Sequence, residues 1–538
     1  MRAAAPAVFF LPLCVVALPA QQAGPSNKDQ AIGTVRFTTS CSGAAQPLVS
    51  RAVALLHSFA FSQATADFEA VLAADPRCAV AGWGLALAAW GNPFAAGIKP
   101  APQLARGLAA VQRARAIGAA TPREAGYIEA AARLYEHTDS LDQRARLLAY
   151  RDAMAELASR EPADTEAAIF HALALAISAD PRDKTYRSQP EAGAILERLF
   201  TRLPDHPGLA HYIIHAYDVP PLAGRALAAA GRYAEIAPAL SHALHMPSHT
   251  WTREGLWERS IASNVAAGSA ARREASTAEE LHASDYRVYA YLQLGQDRAA
   301  RQVLDSLPVV AGRFDPTATG AAAPPSAGYF ALAAIPARYA LERGAWSEGA
   351  ALEPQPSPVP FADAMTWFAR ALGAARSGDT ARARSAIAEL GRLRDRLAAA
   401  GEAYWSEQVD IQRSAAAAWL DYAAGRKEEG LAGARAAAER EDATEKNAIT
   451  PGPLAPAREL LGEMLLAARQ PGPALAAFQA TLRHEPNRFR ALAGAARAAS
   501  EAGDRKTAAT YYGELGKLGA HADRPGRPEL VAAARYRP

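Results

Sequence analysis

Histidine is concentrated in one short stretch of this chain, and its imidazole is a common ligand of transition metals and a carrier of protons near neutral pH. Five of the twelve histidines fall between residues 211 and 249. Packing rarely requires so many imidazoles, because each one must find hydrogen-bond partners when it is buried. The stretch is therefore a candidate metal or acid–base site. Its residues are His211, His215, Asp218, His242, His245 and His249.

The first part of this cluster lies on a predicted helix that begins at Pro207. His211 and His215 are four residues apart, so they share one face of the helix, and Asp218 continues the spacing. This pattern could supply two imidazoles and one carboxylate to a single metal ion. It differs from the zinc-protease helix H-E-x-x-H, because Tyr212 stands where that motif has its catalytic Glu. The sequence therefore does not favour a zinc protease of this type.

The second part of the cluster lies around a proline. His242 and His245 are three residues apart on a short predicted helix that Pro247 interrupts, and Ser248 can cap the next helix. His249 then falls in the first turn of that helix, where the neutral imidazole is favoured. Neutral imidazole is the form that binds metal. If neighbouring helices run antiparallel, both parts of the cluster meet on one inner surface.

Three further residues are secondary candidates. His282 and Asp285 share a helix face, and His57 lies in the first repeat, where it could approach from the inner wall. The alternative is structural, because an isolated histidine on an alanine-rich helix is usually a packed, hydrogen-bonded core residue. Histidine mixed with carboxylate suits a transition metal such as Zn, Fe or Cu better than Ca or Mg.

Composition and periodicity predict the fold. Alanine-rich helical patterns dominate, and no long stretch alternates with period two. Ala474 and Phe478 recur as Ala508 and Tyr512 after 34 residues, which is the tetratricopeptide repeat period. We therefore expect an all-α, tetratricopeptide-repeat-like (TPR-like) α-solenoid, a right-handed superhelix of antiparallel helix pairs. The net charge of +3 gives no basic concentration of the kind that a nucleic-acid binder needs.

The chain begins with a predicted secretory signal, in which Arg2 precedes an apolar stretch too short and too proline-rich to cross a bilayer well. No later segment is long and apolar enough for a transmembrane helix, so we expect export to the periplasm or the outside of a bacterial cell. The predicted order is a signal peptide at 1–20, an extended segment at 21–44, an N-terminal TPR-like array at 45–307 with histidine-rich middle repeats, a loop at 308–327, and a C-terminal TPR-like array at 328–538.

After signal removal, Cys41 and Cys78 are the only cysteines left. An even count in an oxidising compartment predicts one disulfide, and the alternative is two unrelated buried thiols. The sequence contains no G-x-S-x-G motif, no Walker glycine loop and no G-x-G-x-x-G motif. The charged run 439–446 has the composition of a solvated helix end.

Several strings together resemble a widespread group of exported bacterial tetratricopeptide-repeat proteins. They include DHPGLAHYIIHAYD, HALHMPSH and TPGPLAPARELLGEMLL. The resemblance implies a signal peptide and a helical solenoid, but no particular reaction. Asn447 departs from the group's pattern, which has a histidine after Thr-Glu-Lys, and this puts a metal ligand at that position in doubt. The matching motif positions are Cys41, His57, Cys78, Trp83, His211, His215, Asp218, His242, His245, Met246, Pro247 and His249.

Two functions from different classes fit these observations. One is a scaffold that binds a peptide or protein partner in the concave groove of the solenoid, because repeat arrays present such surfaces. The other is a metal-binding protein, or a metal-dependent enzyme, that uses the histidine cluster. A metal-free enzyme with a His/Asp acid–base pair is a third possibility.

Overall fold

The computed structural model describes Met1 and residues 31–95 and 97–537. Within these residues the regular secondary structure is helical and there is no strand, which confirms the all-α prediction. Apart from Met1, the predicted signal peptide lies outside the described residues. Residues 31–44 contain no helix, as expected for an extended segment. No described helix is long and apolar enough to span a bilayer.

The helices follow one another along the whole described chain. The first group is α1 (Gln46–His57), α2 (Phe61–Ala74), α3 (Val80–Trp90), α4 (Ala101–Ile117), α5 (Pro122–Ala132), α6 (Gln143–Arg160), α7 (Thr165–Ile177), α8 (Ser188–Phe200), α9 (Pro207–Ala216), α10 (Leu227–Ile236), α11 (Ser241–His245), α12 (Pro247–Arg253), α13 (Trp257–Arg273), α14 (Thr277–Gln293) and α15 (Asp297–Ala311). The second group is α16 (Pro325–Glu342), α17 (Trp346–Ala351), α18 (Pro360–Ser377), α19 (Thr380–Ala399), α20 (Ala403–Ala423), α21 (Lys427–Asp442), α22 (Ala457–Ala467), α23 (Pro471–His484), α24 (Phe489–Glu501), α25 (Arg505–Leu518) and α26 (Pro528–Arg535). Short 3₁₀ helices span Ala223–Ala226 and Gly519–His521.

Short turns between consecutive helices make them pack as antiparallel neighbours, the arrangement of a helical-repeat protein. Close contact between them depends on an aromatic ring that lies against glycine. Phe478 of α23 fills the space beside Gly462 of α22 and Gly494 of α24, so a methyl group at either glycine would overlap the ring. Phe68 of α2 packs on Gly84 of α3 in the same way. These pairs explain why the repeat pattern alternates small and aromatic residues.

The two arrays are joined more closely than the predicted loop at 308–327 suggests. Helix α15 continues through Pro308 to Ala311, so the interruption is shorter and begins at residue 312. Helix α14 of the first array packs directly on α16 of the second. Between them, Asp285 and Arg338 form a fully buried ion pair with a 2.7 Å contact. The chain therefore has continuous packing across the predicted boundary.

The segment between α21 and α22, residues 443–456, enters the interior of the molecule, and we call it the inserted loop. Its Glu445 contacts Lys184 Nζ at 2.7 Å, and Thr450 Oγ1 accepts a hydrogen bond from Arg338 at 2.7 Å. The expectation that the run 439–446 ends in solvent is wrong for its last residues, because the Lys446 side chain is only 5% exposed. The inserted loop thus occupies part of the inner surface between the two arrays.

Near the N-terminus, Cys41 and Cys78 form a disulfide with their Cα atoms 4.9 Å apart. The bond joins the extended segment to the turn before α3. Around it, Ser42 N donates to the Asp75 carboxylate at 2.7 Å. Ser40 N and Oγ donate to the buried Glu124. These contacts hold the extended segment against the first helices.

Candidate metal centre

Six buried histidines from four helices form two adjacent groups of three. In each group, one ring nitrogen from each residue lies within 4.8 Å of the others. The first triad is His211, His215 and His242, and the second triad is His245, His249 and His282. All six side chains are buried. The structure therefore brings together five of the predicted metal ligands and His282, which was predicted only as a secondary candidate.

The first triad depends on the face that α9 presents to α11. His211 and His215 are one helical turn apart on α9, so both point to the same side. His242, in α11, completes the group, with its Nε2 3.2 Å from Nε2 of His211. Phe94 stacks on the His215 ring at a centroid distance of 3.8 Å and fixes its orientation.

The second triad depends on the break at Pro247. This residue begins α12, so His245 ends one short helix and His249 lies in the next. Their Nε2 atoms are 3.2 Å apart. His282 of α14 approaches from the other side, with its ring centroid 4.5 Å from that of His245.

Hydrogen bonds decide which nitrogen carries the proton in two of these imidazoles. Asn264 Nδ2 donates to the Ser260 carbonyl at 2.7 Å, so its Oδ1 faces His245 Nδ1, which donates to it at 2.7 Å. His249 Nδ1 donates to the Asp218 carboxylate at 3.0 Å. Both Nε2 atoms therefore carry lone pairs, and these face each other at 3.2 Å. Two such lone pairs repel unless a cation lies between them.

The electrostatics favour the neutral, metal-binding form of the imidazoles. Burial lowers the pKa of His211 and of His282 to about 3. Burial also lowers the pKa of His249, although the Asp218 carboxylate opposes this shift. Burial opposes ionisation of Asp218 too, but Lys446 and Arg253 hold its pKa well below the usual range. Burial places three further pKa values well below the ordinary one, those of His215, His242 and His245.

Several nitrogens of the site lack hydrogen-bond partners among the described residues. They include His215 Nε2 and His242 Nδ1, which are buried. His282 makes no hydrogen bond to the described part of the chain either. A buried polar group without a partner costs about 1–3 kcal/mol, so packing alone does not explain why imidazoles occupy these positions. By contrast, His211 Nδ1 donates to the His57 carbonyl at 2.6 Å, which leaves its Nε2 as an acceptor.

A cavity of about 30 Å³ lies between the triads. Two histidines from each triad line it, together with mainly apolar side chains, so both triads meet one small space. This volume has room for one or two molecules the size of water. Three ligands at about 2.1 Å around one ion are about 3.6 Å apart, so each triad needs only small side-chain movements to close on a metal. The lining histidines are His215, His242, His249 and His282.

Two predicted ligands have other roles in the structure. Asp218 lies beyond Ala216, where α9 ends, so the helical spacing that would align it with His211 and His215 no longer applies. It orients His249 and contacts Arg253 and Lys446 instead. Asp285 is paired with Arg338 away from the triads.

A third group, which the sequence showed only in part, surrounds Glu166. Its carboxylate contacts His57 Nε2 and His206 Nε2, each at 2.8 Å. His57 Nδ1 lies 3.0 Å from the Tyr212 hydroxyl. This histidine is thus the packed, hydrogen-bonded residue of the structural alternative. Glu166 and His206 were missed because they lie 109 and 149 positions beyond His57 and no local spacing connects them.

Comparison with known proteins gives little guidance. No family model matches the chain, and no curated protein sequence matches it. Among solved structures, the human IFIT1 dimer with m7Gppp-AAAA is 12% identical, covering 82% of this chain and 90% of its own, with a TM-score of 0.39. Yeast Tom70 is 10% identical, covering 90% of this chain and 86% of its own, with a TM-score of 0.27. At such TM-scores neither likeness carries an argument about function.

Proposed function

We propose that this protein binds two transition-metal ions, one at each histidine triad. The observation that carries the proposal is the pair of lone pairs on His245 and His249, which face each other at 3.2 Å in a buried site. A proton there is disfavoured, because burial lowers the pKa of both imidazoles. A metal ion that both Nε2 atoms bind removes the repulsion.

Hydrogen bonds to the other ring nitrogens support the same proposal. Histidines that bind metals usually donate from the second nitrogen to a carboxylate, an amide or a backbone carbonyl, which fixes the tautomer. His249 donates to Asp218, His245 to Asn264 and His211 to the His57 carbonyl. Imidazole ligands suit Zn, Cu, Fe and Ni. Bound ions of this kind supply Lewis-acid or redox chemistry, and the cavity between the triads is where a reacting molecule would meet them.

Substitutions of the two histidines without hydrogen bonds test the proposal most sharply. In metal-free protein, His215→Leu and His282→Leu should leave the melting temperature unchanged or raise it, because neither imidazole makes a hydrogen bond to a described residue and His215 Nε2 is a buried polar atom without a partner. Each should also reduce the number of tightly bound Co(II) or Zn(II) ions from two to one. Metal content by elemental analysis and titration of stripped protein measure this directly.

The matched controls are His484→Leu and His521→Leu, which change exposed histidines. Both should keep two ions. Glu166→Gln should lower stability and still keep two ions, because the third group is hydrogen-bonded without a metal. Wild-type protein that binds no metal at micromolar concentration would contradict the proposal, as would His282→Leu protein that loses stability but keeps its metal stoichiometry.

A second candidate function is the binding of a peptide or protein segment. The observation in its favour is an open cleft of about 1200 Å³ along α4, bordered by residues 316–326 and mostly apolar. This cleft adjoins the cavity between the triads, since Asn92 and Ala322 line both. Peptides selected on the wild-type protein should fail to bind Ala109→Trp, which fills the cleft, and should bind Ala116→Trp, an exposed position on α4 outside the cleft. Equal binding to both variants would exclude the cleft as the site.

Export is part of the proposed function. The Cys41–Cys78 bond supports it, because such bonds persist in oxidising compartments. Cell fractionation should place the protein outside the cytoplasm, shortened by about the 20 residues of the predicted signal. Uncleaved protein in the cytoplasm would contradict export without bearing on the metal site.

A further inference from the structure

The two triads bring almost no negative charge to an ion. All six ligands are neutral imidazoles, and the nearest carboxylate, Asp218, already contacts Arg253 at 2.8 Å and Lys446 at 3.3 Å. The other nearby carboxyl is Glu279, whose Oε2 is 4.0 Å from His242 Nδ1. Oε1 of Glu279 already accepts a hydrogen bond from the Ala323 backbone N–H at 2.8 Å. Ions in the triads would keep most of their own charge.

The charge of the metal ions therefore distinguishes two divalent ions from two monovalent ions in this site. Two divalent ions would bring four positive charges into a buried site, whereas two monovalent ions would bring two. The cost of burying an ion rises with the square of its charge. At equal distance, two divalent ions also repel each other four times as strongly as two monovalent ions. The surroundings of the triads favour a monovalent pair.

Coordination number and ligand softness point the same way. Each triad supplies three nitrogens, which complete the shell of a three-coordinate Cu(I) ion, whereas Zn(II) takes at least a fourth ligand. Apart from Asn92, the remaining side chains that line the cavity are apolar and include Phe94, Ala327 and the fully buried Met246. Imidazole and thioether are both ligands that suit copper.

Resting on the proposed two-ion site, we propose that the metal is copper, bound as a pair of Cu(I) ions, and that the cavity between the triads takes a diatomic ligand. The cavity volume of about 30 Å³ suits a molecule of that size, and each triad contributes two of its lining histidines. A ligand in the cavity therefore reaches both ions.

The test uses the full chain, stripped of metal and titrated without oxygen. Cu(I) should bind with a stoichiometry of two against a colorimetric chelator, and in a separate titration Zn(II) should bind at least about a hundredfold more weakly. Two Zn(II) ions bound as tightly as copper would overturn the copper assignment and leave the two-ion site standing. Failure of both metals to bind would overturn both proposals.

A charge variant tests the reason for the preference. Lys446→Met removes the cation beside Asp218, so the carboxylate charge acts more fully on the site. The affinity for Zn(II) relative to that for Cu(I) should therefore rise about tenfold. The control is Lys184→Met, because Lys184 contacts the same inserted loop at Glu445 but not Asp218. An unchanged preference in Lys446→Met would overturn the electrostatic argument.

Carbon monoxide tests the cavity independently of any variant. It binds Cu(I) but not Zn(II), and its infrared stretch reports the bound form. Wild-type protein with two Cu(I) ions should show a carbonyl band, and the zinc-loaded protein should not. Absence of the band from fully copper-loaded protein would overturn the proposal that the cavity takes a diatomic ligand.

Discussion

At the scale of residues, the site consists of imidazoles, and several of their ring nitrogens have no hydrogen-bond partner among the described residues. His215 Nε2 is buried without a hydrogen-bond partner in the described part of the chain, and the lone pairs on Nε2 of His245 and Nε2 of His249 face each other. Each of these arrangements costs free energy in the absence of a cation. By contrast, Glu166 gives both histidines of its group a carboxylate partner at 2.8 Å, although Nδ1 of His206 has no partner within the ranges that the structure describes. The carboxylate between the two imidazoles distinguishes this group from the two triads.

Acid should destabilise the metal-free protein steeply. The pKa values of His211 and His282 fall from 6.5 in the unfolded chain to about 3 in the folded one, so the unfolded state binds more protons between these values. The free energy of unfolding therefore has its full value above pH 6.5 and decreases as the pH falls from 6.5 towards 3. These two residues alone should lower the free energy of unfolding by about 4 kcal/mol at pH 5.

Urea denaturation at pH 7.5 and pH 5.0 measures this loss. His282→Leu should reduce the loss by about half of that amount, since it removes one of the two titrating groups. The exposed control His484→Leu should lose as much as the wild type. Acid sensitivity that is identical in His282→Leu and wild-type protein would show that this imidazole is not buried in its neutral form.

Asp218→Asn should weaken metal binding without removing a ligand. The carboxylate holds the proton of His249 on Nδ1, and loss of such an outer partner typically costs 10- to 100-fold in metal affinity. Asp285→Asn is the matched control, because Asp285 is also an interior carboxylate, fully buried where Asp218 is 9% exposed, but pairs with Arg338. Competition titration should show weaker binding in Asp218→Asn and wild-type affinity in Asp285→Asn. Equal affinities in the two variants would contradict the role of Asp218.

At the scale of elements, the inserted loop joins the two arrays. Lys446 reaches Asp218, Glu445 lies near Arg253, and the Tyr286 hydroxyl of α14 donates to the Ala448 carbonyl at 3.1 Å. The loop thus contacts the partners of His249 and closes one side of the cavity with Ile449. Its position is as important to the site as that of any helix.

Close packing should make Gly452 of the inserted loop intolerant of a side chain. A methyl group there would lie 2.9 Å from the hydroxyl of the buried Tyr289 and 3.0 Å from the carboxylate of the partly buried Glu485. Gly452→Ala should cost about 1–3 kcal/mol of unfolding free energy by overpacking. Gly472→Ala is the same change in open space near the start of α23 and should be neutral or slightly stabilising. Chemical denaturation that gives equal stabilities would contradict this close packing.

At the scale of the whole molecule, the two arrays behave as one packed body. Arg488 of the second array contacts Tyr289 of α14 at 3.0 Å, and Trp257 Nε1 donates to the Asn487 carbonyl at 2.9 Å. In an open solenoid each repeat contacts only its neighbours. Here, residues far apart in the chain share buried polar contacts, so the arrays stabilise each other.

Unfolding should accordingly be a single transition. Hydrogen exchange at increasing denaturant should give α9, in the first array, and α24, in the second, the same free energy of global opening. Independent arrays would instead show two values and two calorimetric peaks. Arg488→Ala removes a fully buried cation between the arrays and should lower the free energy of opening of α9 and of α24 by the same amount. A decrease confined to α24 would contradict the prediction.

The fold was predictable because it depends on local patterns. Alanine-rich periodicity and the 34-residue recurrence of Ala474 and Phe478 are visible in the sequence and are sufficient for helix pairs. The site was predictable only in part. The spacing of His211 and His215 holds along α9, but Asp218 falls beyond its last residue and turns to another partner. No spacing rule connects His282, or the inserted loop, to residues so distant in the chain.

The position of the inserted loop has a consequence for the order of folding. Lys446 and Asp218 are 228 positions apart, so this contact is a long-range pairing that an array with contacts only between neighbouring repeats lacks. Helices α9 to α14 are synthesised well before the loop that covers them. During that interval their apolar and basic inner faces stay open. Slow maturation and a need for protection from aggregation until residue 456 arrives follow from this topology.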